Sequence, residues 1–280
     1  MEKRKVLVTG AAGVIAGQVL PALRDRYALT LLDVRTRERS GQAVEGVQVA
    51  DLVDPNRELY RHHFRGIDTV VHFGFIRNDR SQPEPHFRDE MKNIQMAYNV
   101  YQTCIEEGVR RVVVASSNHA ADYYEPLILD GRLDFVDPNG RAQSDNYYGW
   151  AKETYEHLGF VFAVGRQTGK PLENVQIRIG GPREDDLDLC APGDLRCMRR
   201  ALAVYISDRD MQQLFVKSIE AADIRNEQGV PFQIFYGISG NSQAFWSIAN
   251  ARRVIGYEPQ DNSELKFIDK IAAYIGAAKK

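Results

Sequence analysis

The chain has 280 residues, of which 44% are hydrophobic and 26% are charged, and its formal net charge at neutral pH is −2. This length fits one large α/β domain, or a nucleotide-binding domain with a smaller cap. The weakly negative charge argues against a general nucleic-acid binder, which needs a basic surface, and no apolar run is long enough to span a membrane.

The cysteines and the N-terminus predict where the protein resides. Cys104, Cys190 and Cys197 are odd in number, widely spaced and without the spacing of metal ligands. We therefore predict three free thiols, no metal site and a reducing, cytoplasmic compartment. The segment Met1–Lys5 leads directly into an apolar strand and leaves no room for a signal peptide.

The first predicted strand runs into a glycine-containing turn. An apolar run, Val6 to Val8, is followed by Thr9, Gly10 and Gly13, a pattern typical of a buried strand that turns sharply into a helix. In such a turn one glycine permits the tight bend and the next lets the backbone approach a pyrophosphate, which binds to the free amides of the first helical turn. The candidate cofactor-binding residues here are Gly10, Gly13, Val14 and Ile15.

An acid at the end of the second predicted strand, 28–33, indicates which dinucleotide binds. Asp33 lies a little over 20 residues after the first glycine, where a carboxylate accepts the ribose hydroxyls and repels a 2′-phosphate. NAD is therefore favoured over NADP. Arg35, two residues later, argues in the other direction, because an arginine near this acid can bind the 2′-phosphate of NADP. The following strands, 47–52 and 68–74, contribute the remaining candidate cofactor contacts, which are Asp51, Leu52, Phe73 and Gly74.

Helices and strands alternate through the first two thirds of the chain. We predict a loop over 77–87, helices over 87–107 and 147–167, strands over 111–116 and 175–179, and a long polar loop over 122–145. After Gly180 we predict helices over 195–206, 212–225 and 242–255 and one more strand over 232–238. This alternation predicts a doubly wound, parallel α/β sheet. Residues 1–180 would form the nucleotide-binding domain, and residues 181–280 a small substrate-binding region that returns a strand and a helix to the sheet.

Two side chains at helical spacing carry the sharpest chemical signal. Tyr148 and Lys152 are four residues apart and share one helix face. A tyrosine has an ordinary pKa of about 10, and a nearby cation would lower that pKa and make the phenol a usable base. Ser116 and Ser117 close the fifth strand, where a hydroxyl can bind the same substrate oxygen. No Gly-x-Ser-x-Gly motif supports a serine hydrolase.

These residues resemble the extended short-chain dehydrogenase/reductase family, the NAD-dependent epimerases and dehydratases. The resemblance covers nearly the whole chain and rests on the glycine turn, Asp33, Asp51-Leu52, Asn93, Ser117, Tyr148 and Lys152. It implies a Rossmann-like fold with bound NAD and a homodimer or higher homo-oligomer formed through the long helices. It also implies that Tyr148 removes a hydroxyl proton, that Ser117 steadies the developing carbonyl, and that Lys152 holds the nicotinamide ribose.

Within that family the chain looks most like the uronate dehydrogenases. The segment from Ala115 to His119 is similar to their substrate segment, which implies that Asn118 and His119 bind sugar hydroxyls. Arg200 matches an arginine that clamps the sugar carboxylate. Arg77 and Gly181 stand where those enzymes have small hydroxyl residues, which implies a pocket that gains a guanidinium at Arg77 and opens at Gly181.

These features favour NAD-dependent oxidation of a sugar hydroxyl, at C1 of a uronate or another anionic aldose, to give a lactone. A guanidinium pairs well with either carboxylate or phosphate, so a sugar phosphate stays open as the substrate. A nucleotide-sugar epimerase that keeps NAD bound is the main enzymatic alternative. A 4,6-dehydratase is disfavoured because Asn118 and His119 stand where an Asp-Glu pair is expected, and a non-catalytic NAD sensor is disfavoured by the intact Tyr148 and Lys152.

Overall fold

The computed structural model describes residues 3–278, so Met1 and Glu2, which entered the expectation on a signal peptide, lie outside the described residues. Within that range the chain forms one parallel sheet of seven strands with the order β3-β2-β1-β4-β5-β6-β7. The strands are β1 (Lys5–Thr9), β2 (Ala28–Asp33), β3 (Val47–Val49), β4 (Thr69–His72), β5 (Arg111–Ser117), β6 (Glu173–Ile179) and β7 (Phe232–Gly237).

Helices cover both faces of this sheet, as the buried, β-branched central strands β4 and β5 require. The described helices are α1 (Val14–Arg26), α2 (Pro83–Glu107), α3 (Glu125–Leu129), α4 (Tyr147–Val164), α5 (Leu195–Val204), α6 (Asp208–Glu220), α7 (Ala249–Ile255), α8 (Ser263–Lys266) and α9 (Ile268–Ala278). Helices α1 and α6 pack together on one face, and α2 and α4 pack together on the other. The prediction of a Rossmann-like, doubly wound parallel sheet is confirmed.

The order of the strands reverses at β1, which pairs with β2 on one side and with β4 on the other. The connections that leave β1 and β4 therefore turn to opposite faces and leave a crevice at the carboxyl ends of the strands. Open α/β sheets bind their ligands in such a crevice. The glycine turn, the end of β2 and the end of β4 all lie at this edge.

Several boundaries differ from the predicted ones. Strand β3 ends at Val49, so Asp51 lies in a loop rather than in a strand. Helix α2 begins at Pro83 instead of residue 87, because proline fits the first helical turn, where its missing amide is not needed. The loop after β4 is correspondingly shorter than predicted.

The predicted long loop over 122–145 contains regular structure. A 3₁₀ segment (Asn118–Tyr124) continues from β5, and α3 follows directly, with Pro126 in its first turn. The helix predicted from residue 242 begins only at Ala249. The reason is that Trp246 pairs with Val136 in an isolated parallel bridge, which keeps this backbone extended.

The region after Gly180 is mixed, and α6 and β7 join the main layers. Helices α5, α8 and α9 instead contact one another around a small apolar cluster that includes Leu202 and Phe267. The assignment of residues 1–180 to the cofactor and of 181–280 to the substrate stays a prediction. Across residues 3–278, no helix is long and apolar enough to cross a membrane, and no cluster of three or more His, Cys, Asp or Glu is arranged to hold a metal ion.

The prediction of three free thiols is wrong for two of the cysteines. Cys190 and Cys197 form a disulfide, with their Cα atoms 5.6 Å apart, while Cys104 is free and buried in the core. The two cysteines meet because the chain turns back at the start of α5, where Asp194 accepts a hydrogen bond from the Cys197 amide. The cysteine-based argument for a reducing compartment therefore does not hold for this pair.

Candidate active site

The glycine turn after β1 is shaped so that only glycine fits its first position. Gly10 has a φ of +68°, and a Cβ atom there would lie 2.7 Å from the backbone of Phe73 and Gly74 at the end of β4. Gly13 follows at the N-cap of α1 and donates its amide to the Gly10 carbonyl, at 2.9 Å. The turn after β1 and the end of β4 are therefore packed backbone against backbone.

The start of α1 fits the phosphate of a nucleotide. Gly13 offers no side chain to cap the helix, the first turn contains no acid, and Val14 is exposed. The first amides of a helix lack intrahelical partners, and the helix dipole makes this end positive. Gly13, Val14 and Ile15 therefore form a cradle with the properties of an anion site.

The end of β2 places a carboxylate beside that cradle. Asp33 accepts hydrogen bonds from the amide of Ala12, at 3.0 Å, and from the amide of Arg35, at 3.2 Å. The Arg35 guanidinium donates to the Ala12 carbonyl at 3.3 Å, so a positive charge also lies here. Farther along the crevice Asp51 is exposed, whereas Leu52 is buried in the core.

The end of β4 closes the other side of the crevice. A Cβ atom at Gly74 would lie 2.8 Å from the sulfur of Met96 and 2.9 Å from the ring of His72, so glycine is required for space. Phe73 is buried against Phe215. Asn93 on α2 holds the following loop through both polar atoms of its side chain, which pair with the backbone of residue 76 at 2.7 and 3.2 Å.

Tyr148, Lys152 and Ser117 lie together at the carboxyl end of β5. Asn146 caps α4 by accepting a hydrogen bond from the Gly149 amide, which fixes the turn that carries Tyr148. The Ser117 side chain lies near the Tyr148 hydroxyl, and its interaction with that hydroxyl favours the phenolate. One helical turn later, the ammonium of Lys152 lies 5.5 Å from the centre of the Tyr148 ring. Its hydrogen bond, 2.8 Å long, goes to the carbonyl of residue 115 on β5.

Burial dominates the electrostatics of this pair. It raises the pKa of Tyr148 above its ordinary value, against the opposing effects of the Ser117 side chain and the Arg80 guanidinium. The sequence analysis predicted the opposite direction, namely that the charge of Lys152 would lower the pKa of Tyr148. Burial also lowers the pKa of Lys152 itself, to about 8, although the carboxylate of Glu90 pulls in the opposite direction. The positive charge of Lys152 is therefore largely present at neutral pH and is lost as the pH rises above about 8.

His72 is buried directly beneath this site and makes folding sensitive to acid. Its Nδ1 lies 2.6 Å from the Thr9 hydroxyl, and burial together with Lys152 lowers the pKa of His72 to about 3. The unfolded chain binds this proton below a pH of about 6.5, whereas the folded chain does so only near pH 3. The free energy of unfolding should therefore decrease as the pH falls from 6.5 to 3, by up to about 1.4 kcal/mol per pH unit from this group.

We expect His72→Asn to reduce that acid sensitivity, because asparagine can still pair with Thr9 but does not titrate. Urea unfolding at several pH values between 7 and 4 measures the slope. The variant should be less stable than the parent at pH 7, and its slope should be shallower. Equal slopes in the two proteins would show that other groups cause the acid sensitivity.

The guanidinium that reaches the reaction centre is Arg80 and not Arg77. Both side chains are exposed, but only Arg80 lies over the Tyr148 ring, with its central carbon 4.1 Å from the ring centre. A cation in this position is attracted by the ring face. Both arginines belong to the loop after β4, and only the path of that loop decides which one faces Tyr148, so the sequence could not separate them.

Asn118 and His119 lie where the substrate segment was predicted. The His119 ring contacts the Tyr148 ring edge to face at 5.5 Å between centres. Asp122, which the sequence analysis did not single out, lies 2.7 Å from His119 Nδ1 and accepts a hydrogen bond from Asn146. Asp122 therefore orients the histidine ring and ties it to the start of α4. The spacing of three residues between His119 and Asp122 is the feature of the sequence from which this contact could have been predicted.

Arg200 already has an internal anionic partner. Its Nε and Nη2 atoms donate to the two carboxylate oxygens of Glu125, at 3.0 and 3.2 Å. Asn118 donates to the same carboxylate at 3.2 Å. Two residues predicted to bind substrate are therefore joined through Glu125, an acid that the sequence analysis missed because α3 was not predicted.

Gly181 does not open the pocket, contrary to the expectation from sequence. A Cβ atom there would lie 2.9 Å from a carboxylate oxygen of Asp186 and 3.1 Å from Val204. The space that a serine side chain would need is therefore filled by Asp186, which lies in a 3₁₀ turn (Asp186–Leu189) before α5. Burial raises the pKa of Asp186, and the nearby charges of Arg183 and Arg200 counteract that effect.

Comparison with known proteins agrees with this geometry. The model of the NAD dependent epimerase/dehydratase family matches residues 6–165. The chain is 30% identical over 270 residues to an NAD-dependent glucose-6-phosphate dehydrogenase of Haloferax volcanii, covering 92% of this chain and 94% of the relative. It is 27% identical over 266 residues to an L-arabinose 1-dehydrogenase (NAD(P)(+)) of the same organism, covering 92% and 97%.

A solved structure is similar over the same extent. A point mutant of uronate dehydrogenase from Agrobacterium tumefaciens, complexed with NAD, superposes with a TM-score of 0.72 at 25% identity. The superposition covers 96% of this chain and 89% of that one. NAD is the cofactor, and the protein is an oxidoreductase that acts on the CH–OH group of a sugar. The chain belongs to the NAD-dependent epimerase/dehydratase family, the extended short-chain dehydrogenases/reductases.

Proposed function

We propose that the protein oxidises the C1 hydroxyl of an aldose to a lactone, with a uronate or another anionic aldose as the substrate expected from sequence. The observation that carries this proposal is the convergence of Ser117, Tyr148 and Lys152 at the carboxyl end of β5. These groups lie beside a crevice whose glycine turn and Asp33 fit a dinucleotide. Polar side chains suited to sugar hydroxyls lie here as well, since His119 contacts Tyr148 and the preceding Asn118 is bound to Glu125.

In the proposed mechanism Tyr148, as the phenolate, takes the proton of the C1 hydroxyl. The C–H electron pair leaves C1 as hydride, which NAD accepts when bound, and the C1–O single bond becomes a carbonyl. Ser117 donates a hydrogen bond to the substrate oxygen and keeps it next to Tyr148. The Arg80 guanidinium lowers the pKa of Tyr148 and so favours the phenolate, and Lys152 adds a second positive charge 5.5 Å from the ring centre. Removal of a proton by a positioned side chain accelerates reactions by roughly a hundred- to ten-thousandfold.

For the cofactor, we propose that Gly10, Gly13, Val14 and Ile15 bind the pyrophosphate and that Asp33 binds the adenosine ribose. Asp51, Leu52, Phe73 and Gly74 would line the rest of the crevice, and Lys152 would hold the nicotinamide ribose. This proposal rests on the start of α1, which has no side-chain cap and no acid, and on Gly10 and Gly74, which have no space for a Cβ atom.

The experiment is a sugar screen in which NADH absorbance is followed with the purified protein and NAD. The panel pairs neutral aldoses with uronates and sugar 6-phosphates. NADH formation with any of these classes, with a lactone as the product, supports the proposal. NAD that co-purifies tightly, with no net NADH from any sugar, would instead favour the nucleotide-sugar epimerase. A protein that binds NAD but converts neither free sugars nor nucleotide sugars would be a sensor.

The strictness of the NAD preference depends on the charge of Asp33. We expect Asp33→Asn to shift the ratio of kcat/KM for NAD over NADP toward NADP by roughly tenfold or more, because the repulsion of a 2′-phosphate is lost and Arg35 lies beside it. Asparagine keeps an acceptor for the Ala12 amide, so the turn should stay intact. Asp51→Asn removes an exposed charge elsewhere in the same crevice and should change this ratio less than Asp33→Asn does. An unchanged ratio would mean that another group distinguishes the two cofactors.

Homo-oligomerisation and a cytoplasmic location also stay proposals. Helices α2 and α4 pack side by side, and each exposes large apolar side chains, including Met91 on α2 and Phe160 on α4. A second copy of the chain would cover them. Size-exclusion chromatography with light scattering measures the oligomeric state directly.

A further inference from the structure

Arg200 and Glu125 form a bidentate, partly buried ion pair in the predicted sugar pocket. The Glu125 side chain is only 14% exposed and the Arg200 side chain 32% exposed. A guanidinium that uses Nε and Nη2 on both oxygens of one carboxylate is matched in shape as well as in charge. The Nε–Nη2 edge of Arg200 is therefore already used by Glu125.

The surroundings of this pair are acidic. Burial works against the charge of Arg200, yet the hydrogen bond to Glu125 and the negative charges of Glu125, Asp122 and Asp186 leave the pKa of Arg200 above its ordinary value. Three carboxylates thus act on one guanidinium. A further carboxylate brought to Arg200 would meet like charges at short range, and such repulsion weakens binding strongly in a partly buried site.

The ion pair is connected to the catalytic residues. Glu125 also accepts the hydrogen bond of the Asn118 amide, and Asn118 directly follows Ser117 on the chain. Displacing Glu125 from Arg200 would therefore leave a largely buried carboxylate without its cationic partner and disturb the residue next to Ser117. An unpaired charge in such a position is costly, so a substrate anion has to offset that cost before it gains any affinity.

We infer that Glu125 occupies the place of a substrate carboxylate on Arg200 and makes the pocket select aldoses that carry no charge at C6. This inference rests on the proposed oxidation of an aldose at C1, and it replaces the anionic substrate expected from sequence with a neutral one. The carboxylate of Glu125 and the amide of Asn118 are then available to sugar hydroxyls, which donate and accept hydrogen bonds without charge. Uronates are rejected by the built-in acid rather than by lack of space.

The test compares kcat/KM for neutral aldoses, uronates and aldose 6-phosphates in the parent protein and in Glu125→Gln. In the parent we expect neutral aldoses to exceed uronates by roughly tenfold or more. Glutamine keeps an oxygen for Asn118 but removes the charge, so the ratio of uronate to neutral aldose should rise at least tenfold. The gain should appear mainly in the KM for uronates, because charge repulsion acts on binding.

Asp130→Asn is the matched control. Asp130 pairs with Arg196, so it joins the same two helices, α3 and α5, but on the exposed surface. It should leave the preference for neutral aldoses as in the parent. If Glu125→Gln destabilises the protein, its unfolding temperature will be lower than that of the parent. The inference is then tested by the parent alone, which should prefer neutral aldoses to uronates.

The outcomes separate the two proposals. A parent protein that oxidises uronates or 6-phosphates as well as neutral aldoses overturns the role of Glu125 and leaves the dehydrogenase reaction intact. An unchanged preference in a folded Glu125→Gln variant also overturns it. No NADH from any of the three classes refutes the proposed function, and the inference falls with it.

Discussion

We expect Tyr148→Phe to lower kcat by about three orders of magnitude, a loss typical of the removal of a positioned general base. The phenylalanine ring keeps the contacts of Tyr148 with Phe75 and His119, whose ring centres lie 5.4 and 5.5 Å away. Only the hydroxyl near Ser117 is lost. NAD binding, measured by quenching of protein fluorescence, should therefore be close to that of the parent.

Tyr147→Phe provides the matched control for this change. Tyr147 is the neighbouring residue, but its ring is 43% exposed and contacts His86 and Phe87 on α2. Removal of its hydroxyl should leave kcat within severalfold of the parent. If Tyr148→Phe retained near-normal turnover, the proton would have to be removed by another group, and the catalytic assignment of Tyr148, Ser117 and Lys152 would be wrong.

The second large effect concerns Gly10. Gly10→Ala should abolish NAD binding at cofactor concentrations that saturate the parent, because the new Cβ atom would lie 2.7 Å from the backbone of Phe73 and Gly74. Neither backbone segment can move away without displacing the end of β1 or of β4. The left-handed conformation adds a cost of about 1–2 kcal/mol for any residue with a side chain. Calorimetric titration with NAD and urea unfolding measure the two effects separately.

Gly131→Ala separates backbone strain from crowding. Gly131 has nearly the same φ, +69° against +68° for Gly10, but nothing lies within 4 Å of the position of its Cβ atom. This variant should lose about 1–2 kcal/mol of unfolding free energy and bind NAD normally. If Gly10→Ala also bound NAD normally, the close approach of the two turns would be unimportant for the cofactor.

The cofactor half of the site could be predicted from sequence because local rules determine it. A buried strand, a turn that needs glycine and an acid at the next strand end occur at fixed spacing along the chain. The sheet then brings Gly10, Asp33 and Gly74 to one edge whatever the loops do. Tyr148 and Lys152 share a face for the same kind of reason, since one helix carries both.

The sugar half of the site depends on contacts between segments that are far apart in sequence. Glu125 and Arg200 are 75 residues apart, and their pairing requires both the unpredicted helix α3 and the position of α5. The choice of Arg80 over Arg77 and the filling of space at Gly181 by Asp186 likewise depend on loop paths. No periodicity encodes these contacts. Burial around Tyr148 is also a property of the assembled fold, so the direction of its pKa shift could not be read from the spacing of Lys152.

The Cys190–Cys197 cross-link means that thiol reagents change the covalent identity of the protein. It joins the residue after the 3₁₀ turn Asp186–Leu189 to the start of α5, and Arg200 lies one helical turn after Cys197. A preparation kept in dithiothreitol and one kept without it therefore differ at the helix that carries a pocket residue. Kinetic constants for sugars from the two preparations describe different molecular species, and a thiol titration should accompany each set.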